Sequence, residues 1–374
     1  MGKSVAIIGT RGYPSYYGGF ETAVRKVAPY LAARGWDVTV YGRRGAARID
    51  DPDRDHSVHT SVTWGLESKS LSTLSYGLSA SAVAAIRRHD VALVMNVANG
   101  FFLPFLRARG VKTVVNVDGI EWERAKWGRT ASNVFLAGAR ATAKYADSIV
   151  CDSVRIQSRW RGEFDVDGVF IPYGADSVED PPVPLGLERR GYVLLVARFV
   201  PENTVEEFIA AVDALPITTT VVIVGSAGYP SPIEDAVARL AERRQHVQWL
   251  GHVSDDALLA ALWYHAGAYF HGHSVGGTNP ALVQAMAAGA PVVARDTEFN
   301  REVLADTAAA FVEPTSEAIA EGISRVLRSP ALQESASMRA RSRAAEHYTW
   351  DGICALYERA LVDALNEGSK RRLI

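Results

Sequence analysis

Cysteine is nearly missing from this 374-residue chain, with only Cys151 and Cys354, far apart and set in apolar sequence. Their separation excludes a disulfide framework and the paired thiolate spacing of a metal site, and it fits the reducing cytosol. An excess of one charge is missing too. Forty Lys and Arg face 42 Asp and Glu, a formal charge of -2, which gives no ground for nucleic acid as a partner. No apolar run approaches the ~18 residues of a membrane-spanning helix. Lys3 leads straight into the apolar Val5–Ile8, so no signal peptide is expected. Asp-x-Asp occurs at Asp51/Asp53 and Asp165/Asp167, but in irregular charged segments that read as solvated loops, and no metal is expected. What remains is a chain that is 48% hydrophobic, enough to fill two ordinary cores.

Short β-branched runs alternate with amphipathic helical stretches, the pattern of βα units and parallel sheets. Strands are predicted at 5–9, 37–41, 91–96, 111–117, 148–152 and 169–174. Residues 175–190 follow, with Pro181, Pro182 and Pro184 among charges and no periodicity, and read as an interdomain linker. The alternation restarts at 192–197, 219–225, 247–251, 268–272 and 290–294. The expected architecture is α/β, with two doubly wound Rossmann-like domains at 1–180 and 190–349 facing across a cleft. A last helix from about Trp350 is expected to pack back on the first domain.

Two glycine-bearing junctions stand out. GTRGYPSYYGGFET (9–22) follows the first strand, but its spacing departs from the G-x-G-x-x-G of a dinucleotide turn, and Gly42-Arg43-Arg44 stands where an acidic ribose ligand belongs. NADP is thereby weakened rather than eliminated. Gly18 and Gly19 at a helix start suit covering a bulky ligand, while Tyr16 and Tyr17 read equally as stacking surfaces or loop packing. The second junction, HSVGGTNPALVQAM (273–286), runs from a strand through two glycines into an Ala-rich helix, with Thr278 or Asn279 as N-cap and Pro280 in the first turn. Such a junction aims free amides and a positive helix end at one point, which suits a phosphate. Arg198, at the end of the 192–197 strand, falls on the same rim and suits a diphosphate clamp; a surface pair with Glu202 or Glu206 is the competing reading.

Taken together, GTRGYPSYYGGFET, NVDGIEWERAKWGR (116–129), IPYGAD (171–176), VARFVPEN (196–203), HSVGGTNPALVQAMAAGAPVVA (273–294) and DTEFNREVL (296–304) resemble a retaining glycosyltransferase of family 4 with GT-B architecture. Within that family they look most like the bacterial rhamnosyltransferase type. The resemblance implies a nucleotide-diphosphate sugar donor, dTDP-L-rhamnose first, a saccharide or lipid-linked acceptor, cell-surface polysaccharide synthesis, and no metal or other cofactor. The family's Glu-x7-Glu pattern falls on Gly276 and Gln284, so both positions depart from it, and Asn203 stands where a diphosphate-binding Lys is common. Donor contacts are accordingly expected from Arg198, Asn203, the amides of Gly276, Gly277, Thr278 and Asn279, Gln284 on the ribose, and the backbone of Phe299 and Asn300 on the sugar. Gln284 lacks the charge-assisted contact of Glu, which puts donor affinity in question.

The resemblance implies a same-face displacement in which the donor phosphate takes the acceptor proton, so that no protein nucleophile is needed. Asp118 is the candidate for touching sugar or acceptor, with capping of the next helix as its other reading, and His273 for the donor. Tyr17, Glu21, Trp122 and Trp127 are candidates for the acceptor. NGFFLPFLRARG (99–110) suits peripheral contact at the inner face of a membrane, and reads equally as a core-facing helix with a basic edge. The basic tail, 370–374, reads as disordered. Two other classes fit the same pattern: a nucleotide-sugar epimerase, and a weakly active nucleotide-sugar-binding protein.

Overall fold

The computed structural model describes residues 2–16, 18–48, 50–52, 54–66, 72–123 and 128–370, with side chains to Asn366. The chain divides into two units, Met1–Tyr173 with Trp350–Ile374, and Gly174–Thr349.

The first unit is built on a seven-stranded parallel sheet: β1 (Ser4–Ile8), β2 (Asp37–Arg43), β3 (His59–Thr63), β4 (Val91–Met95), β5 (Lys112–Asn116), β6 (Ser148–Cys151) and β7 (Val169–Phe170). The spatial order is β3-β2-β1-β4-β5-β6-β7. Its helices are α1 (Gly19–Ala33), α2 (Ser72–Arg87), α3 (Leu103–Ala108), α4 (Arg129–Tyr145) and α5 (Val154–Phe164). Val5–Ile8 and Val91–Met95 are buried throughout, as strands covered on both faces must be.

The second unit carries a six-stranded parallel sheet: β8 (Tyr192–Val196), β9 (Thr220–Val224), β10 (Val247–Trp249), β11 (Ala268–His271), β12 (Val292–Arg295) and β13 (Ala310–Val312), in the order β10-β9-β8-β11-β12-β13. Its helices are α6 (Val205–Ala214), α7 (Pro232–Arg243), α8 (Asp256–His265), α9 (Pro280–Ala288), α10 (Glu298–Leu304), α11 (Ser316–Leu327) and α12 (Pro330–His347). Phe208 of α6 stacks on Phe270 of β11 at 5.3 Å between ring centres, inside a core of Val, Leu and Ile from the strands. Each such side chain contributes roughly 1.5–3 kcal/mol by leaving water.

The last helix, α13 (Trp350–Lys370), belongs to the first unit. Asn116 Nδ2 donates to Tyr357 Oη at 2.6 Å and Trp36 Nε1 donates to Glu358 Oε1 at 3.1 Å, which fastens α13 against β5 and the β1–β2 layer.

The proline-rich stretch read as a linker is part of the second unit instead. Its backbone is held there: Ala175 N donates to Tyr348 O at 2.7 Å, Pro181 O is bonded by His265 Nε2 at 2.7 Å, and Arg190 N donates to His265 O at 2.7 Å. Low periodicity marked irregular structure correctly, but irregular backbone that satisfies its polar groups is docked, not free. Two edge strands escaped the sequence reading. β3 is half exposed with mixed polarity, and β13 is three residues long, too short for any periodicity.

Candidate active site

In each sheet the strand order reverses beside the first strand, and the loops leaving the carboxyl ends there part to opposite sides, opening a crevice for a ligand. In the second unit that point lies between β8 and β11, which are hydrogen-bonded neighbours. Arg198 lies two residues past β8, exposed, and no described residue forms an ion pair with its guanidinium. Neither Glu202 nor Glu206 takes it, so the surface-pair reading fails among the described residues.

The loops after β8 and β11 are fastened to each other. Ser274 donates through N and Oγ to Glu202 O at 2.9 and 3.0 Å, His273 Nδ1 donates to Asn203 Oδ1 at 2.6 Å, and Thr204 Oγ1 donates to Gly272 O at 2.6 Å. Asn203 Nδ2 also donates to Arg198 O at 2.7 Å. Asn203 was expected among donor contacts, yet its buried carboxamide is spent tying Arg198 to His273; it is placed to position both. The tie also orients His273, whose Nδ1 carries a proton because an amide oxygen can only accept.

Glycine is required where these loops cross. A Cβ on Gly272 would lie 2.3 Å from Asn203 O, and Gly276 sits at φ +105, which side chains rarely adopt. Beyond it, Asn279 is the N-cap of α9, its Oδ1 accepting from Ala281 N at 3.0 Å, and Pro280 takes N1. Gly276 and Thr278 are buried, Gly277 is half-buried, and Gln284 lies half-buried one turn inside the helix. The amide of Ala281 is thus satisfied by the cap, and those preceding the helix are where an anion would dock.

α10 supplies a third loop. Thr297 Oγ1 accepts from Asn300 N at 3.1 Å, and buried Asn300 Nδ2 donates to His273 O and Arg295 O, each at 2.9 Å. The expected sugar contact through the Asn300 amide is therefore corrected: that amide is consumed by the helix cap, and the side chain braces His273. Phe299 lies in the same first turn, half-buried.

Two residues were missed from sequence. Arg295, at the end of β12, donates from Nη1 to Thr204 Oγ1 at 3.0 Å; the predicted strand stopped one residue short of it. Glu202 is 7% exposed, and both carboxylate oxygens lack a hydrogen-bond partner among the described residues. Leaving a buried polar group unsatisfied costs about 1–3 kcal/mol, which a ligand hydroxyl donating to it would relieve. Behind the loop, burial pushes the His271 imidazole down to about 3, so it stays neutral beside Tyr269 Oη at 3.1 Å from Nδ1.

In the first unit Gly18 is the extended N-cap of α1 and Gly19 its first residue. Glu21 is buried in that first turn, and its Oε1 accepts from Arg11 N at 3.1 Å, closing the glycine-rich loop onto the helix. Asp118 follows β5 at φ +55, with its N–H donating to Asn116 Oδ1 at 2.9 Å. It does not cap α4, whose N-cap is Gly128. Buried Tyr173 has its hydroxyl pKa raised by burial first and then by the charges of Asp118, Asp152, Tyr357 and Glu21. Trp122, half-buried, packs edge-on to Trp160 and Phe164 at 6.3 and 5.9 Å. Arg25 and Arg48 lie over the Tyr16 ring at 4.0 and 4.8 Å, so Tyr16 is packed within its loop. Tyr17 and Trp127 lie outside the described residues, as does Asp53.

Asp167 is bound by Arg161 and Asp165 ends α5, so that Asp-x-Asp is structural. No group of three or more His, Cys, Asp or Glu able to hold a metal occurs among the described residues.

Residues 17–178 match the family model described as Glycosyltransferase Family 4, and residues 179–343 the one described as Glycosyl transferases group 1. Similar curated proteins include phosphatidyl-myo-inositol mannosyltransferases of Mycobacterium leprae and Mycolicibacterium smegmatis. Both are 32% identical over 57% of this chain, which spans 58% and 56% of their respective lengths. Among solved structures, sucrose-phosphate synthase from Thermosynechococcus elongatus superposes with a TM-score of 0.81 at 19% identity, over 96% of this chain and 98% of that one. Anabaena HepE in complex with UDP-glucose gives 0.77 at 16% identity, over 96% and 99%.

Proposed function

We propose that this chain, which belongs to the GT-B glycosyltransferases as a family 4 domain followed by a group 1 domain, transfers a hexosyl group from a nucleotide-diphosphate sugar to a saccharide or lipid-linked acceptor. The observation that carries the reading is Arg198, a cation without an ion-pair partner among the described residues, at the β8–β11 crossover and on a loop bonded to the one that opens α9.

Glycosyl transfer needs the departing diphosphate stabilised, since the breaking C–O bond leaves its electron pair on the phosphate. The Arg198 guanidinium and the amides of Gly276, Gly277, Thr278 and Asn279 supply that stabilisation through fixed dipoles and one permanent charge, without a metal. The released phosphate oxygen accepts the acceptor's hydroxyl proton as the new C–O bond forms on the same face, so configuration is retained. Asp118 orients acceptor or sugar hydroxyls, and Glu202 accepts from a hydroxyl of the donor.

The relatives' names favour a mannosyl donor over the rhamnosyl donor implied by the sequence motifs. The same names favour a lipid-linked acceptor met at a membrane surface. Gln284 favours a second reading, a weakly active nucleotide-sugar-binding protein, because an amide holds a ribose diol less firmly than a carboxylate does.

Thermal-shift screening against nucleoside diphosphates and their sugars tests the proposal. One class of nucleotide should raise the melting temperature, and acceptor-dependent product should form undiminished with chelator present. An absence of stabilisation by every nucleotide would overturn it, and an epimerised donor formed without acceptor would assign the site to an epimerase.

A further inference from the structure

Arg295 closes β12 with both its backbone and its guanidinium fastened. Its O accepts from Asn300 Nδ2 at 2.9 Å, the same amide that braces His273, and its Nη1 donates to Thr204 Oγ1 at 3.0 Å. Thr204 lies in the loop after β8, and β8 and β12 flank β11 on opposite sides, so two sheet spacings of about 4.8 Å each separate them. Only a long side chain crosses that gap. It meets Thr204 at the end of β11, where the same hydroxyl donates to Gly272 O at 2.6 Å and where a Cβ on Gly272 would stand 2.8 Å from Thr204 Cβ. Thr204 is fully buried and sits at φ +56, left-handed backbone that a β-branched residue rarely takes. Strain of this kind, of order 1–3 kcal/mol, persists where the surroundings impose it and collects at ligand sites.

The guanidinium is held but not neutralised. Arg295 is half-buried, one of its five N–H donors is spent on Thr204, and no described residue forms an ion pair with it. The neighbouring Asp296 is taken by Arg301, whose Nε and Nη2 donate to it at 2.5 and 2.7 Å. Glu202, with both carboxylate oxygens unpartnered among the described residues, makes no ion pair with Arg295 either, although it belongs to the 3-10 turn Pro201–Asn203 that Thr204 closes. The loops around these two charges are otherwise cross-bonded through Asn203, His273, Ser274 and Asn300. A cation and a carboxylate left apart in such a setting fit a ligand that brings an anion to the first and a hydroxyl to the second. A sugar joined to phosphate carries both.

We infer that Arg295 is a catalytic residue that grips the sugar-bearing phosphate of the donor, alongside Arg198. The inference rests on the donor reading above and adds to it a residue from a third strand. As the C–O bond to the sugar breaks, its electron pair stays on that phosphate, and a guanidinium already fixed by Thr204 takes up the added charge without reorganising.

Titration calorimetry on the full chain tests it, with the nucleoside diphosphate that most stabilises the parent in the thermal-shift screen and with the matching monophosphate. Arg295→Met keeps a long unbranched side chain and drops the charge. It should weaken diphosphate binding about 10-fold or more, the worth of a charge-assisted hydrogen bond, and monophosphate binding by less than about twofold. Turnover at saturating donor should fall by about 10²-fold in the same variant. Arg295→Lys returns a point charge without the planar fork and should recover part of both losses, with the monophosphate again little changed. That difference between the two ligands can be read from either variant, so the test survives if one of them folds poorly. Equal weakening of monophosphate and diphosphate would make Arg295 only a brace for Thr204 and overturn the inference, as would undiminished diphosphate affinity in Arg295→Met. A parent that no nucleotide stabilises would remove the donor site itself, an outcome distinct from a parent that binds and variants that bind equally well.

Discussion

The two sheets share one order over six strands, the first adding β7 at its edge, but their crossover points are finished differently. In the second unit, the loops after β8 and β11 and the turn opening α10 are cross-bonded through Glu202, Asn203, Thr204, His273, Ser274 and Asn300. In the first unit the corresponding loop after β1 is tied instead to its own helix and to the chain after β2, by Arg11 N donating to Glu21 Oε1 at 3.1 Å, Arg43 N to Arg11 O at 2.9 Å and Arg48 N to Pro14 O at 2.9 Å. On the function proposed above, the difference follows from what each unit would hold. A diphosphate is small, highly charged and constant in shape, so a rigid cage of amides with guanidinium charge stabilises it best. An acceptor offers hydroxyls, for which carboxylates are the suitable partners.

The strongest way to break this contrast is Arg198→Ala. Transfer should fall by about 10²-fold or more while the melting temperature barely moves, because the side chain is exposed. Unchanged turnover would remove Arg198 from the site.

Acid sharpens the contrast next. Burial holds His271 down to about 3, so the folded second unit refuses a proton that the unfolded chain accepts near 6.5. The sign follows: this contribution to stability is fully present above about pH 6.5 and is lost progressively as pH falls from there toward about 3. Near pH 5 the loss is about 2 kcal/mol. Denaturant midpoints at pH 7 and 5 should differ less for His271→Asn than for the parent, and equal differences would contradict the assignment.

Breaking one tie comes third. Asn203→Ala removes two hydrogen bonds and should weaken donor binding up to about 30-fold, at roughly 1 kcal/mol each, as read by titration calorimetry. If His273 and Arg198 bind donor independently of that brace, affinity will not change.

The smallest effect is expected from Gln284→Glu. A carboxylate on the ribose should tighten donor binding by about three- to tenfold, the difference between a neutral and a charge-assisted hydrogen bond. A lack of gain in affinity or turnover would show that Gln284 does not face the ribose.

Much of this was legible in the sequence for definite reasons. Apolar runs such as VALVM and TVVIV form strands because both faces are covered, so position and parallel pairing followed from composition. Asn279-Pro280 announced the start of α9 because cap and N1 preferences are local. What sequence did not reveal is long-range. The docked 174–190 segment depends on partners such as Tyr348 and His265. The bracing roles of Asn203 and Asn300, and the burial of Glu202, arise only when loops separated by some seventy residues meet.

The most direct measurement is a crystal structure of the full chain with a nucleotide-diphosphate sugar. The account predicts diphosphate oxygens within hydrogen-bond reach of the Arg198 guanidinium and of the amides between Gly276 and Asn279. A diphosphate seated instead on the Gly9–Gly19 loop of the first unit, with the β8–β11 crossover empty, would contradict it.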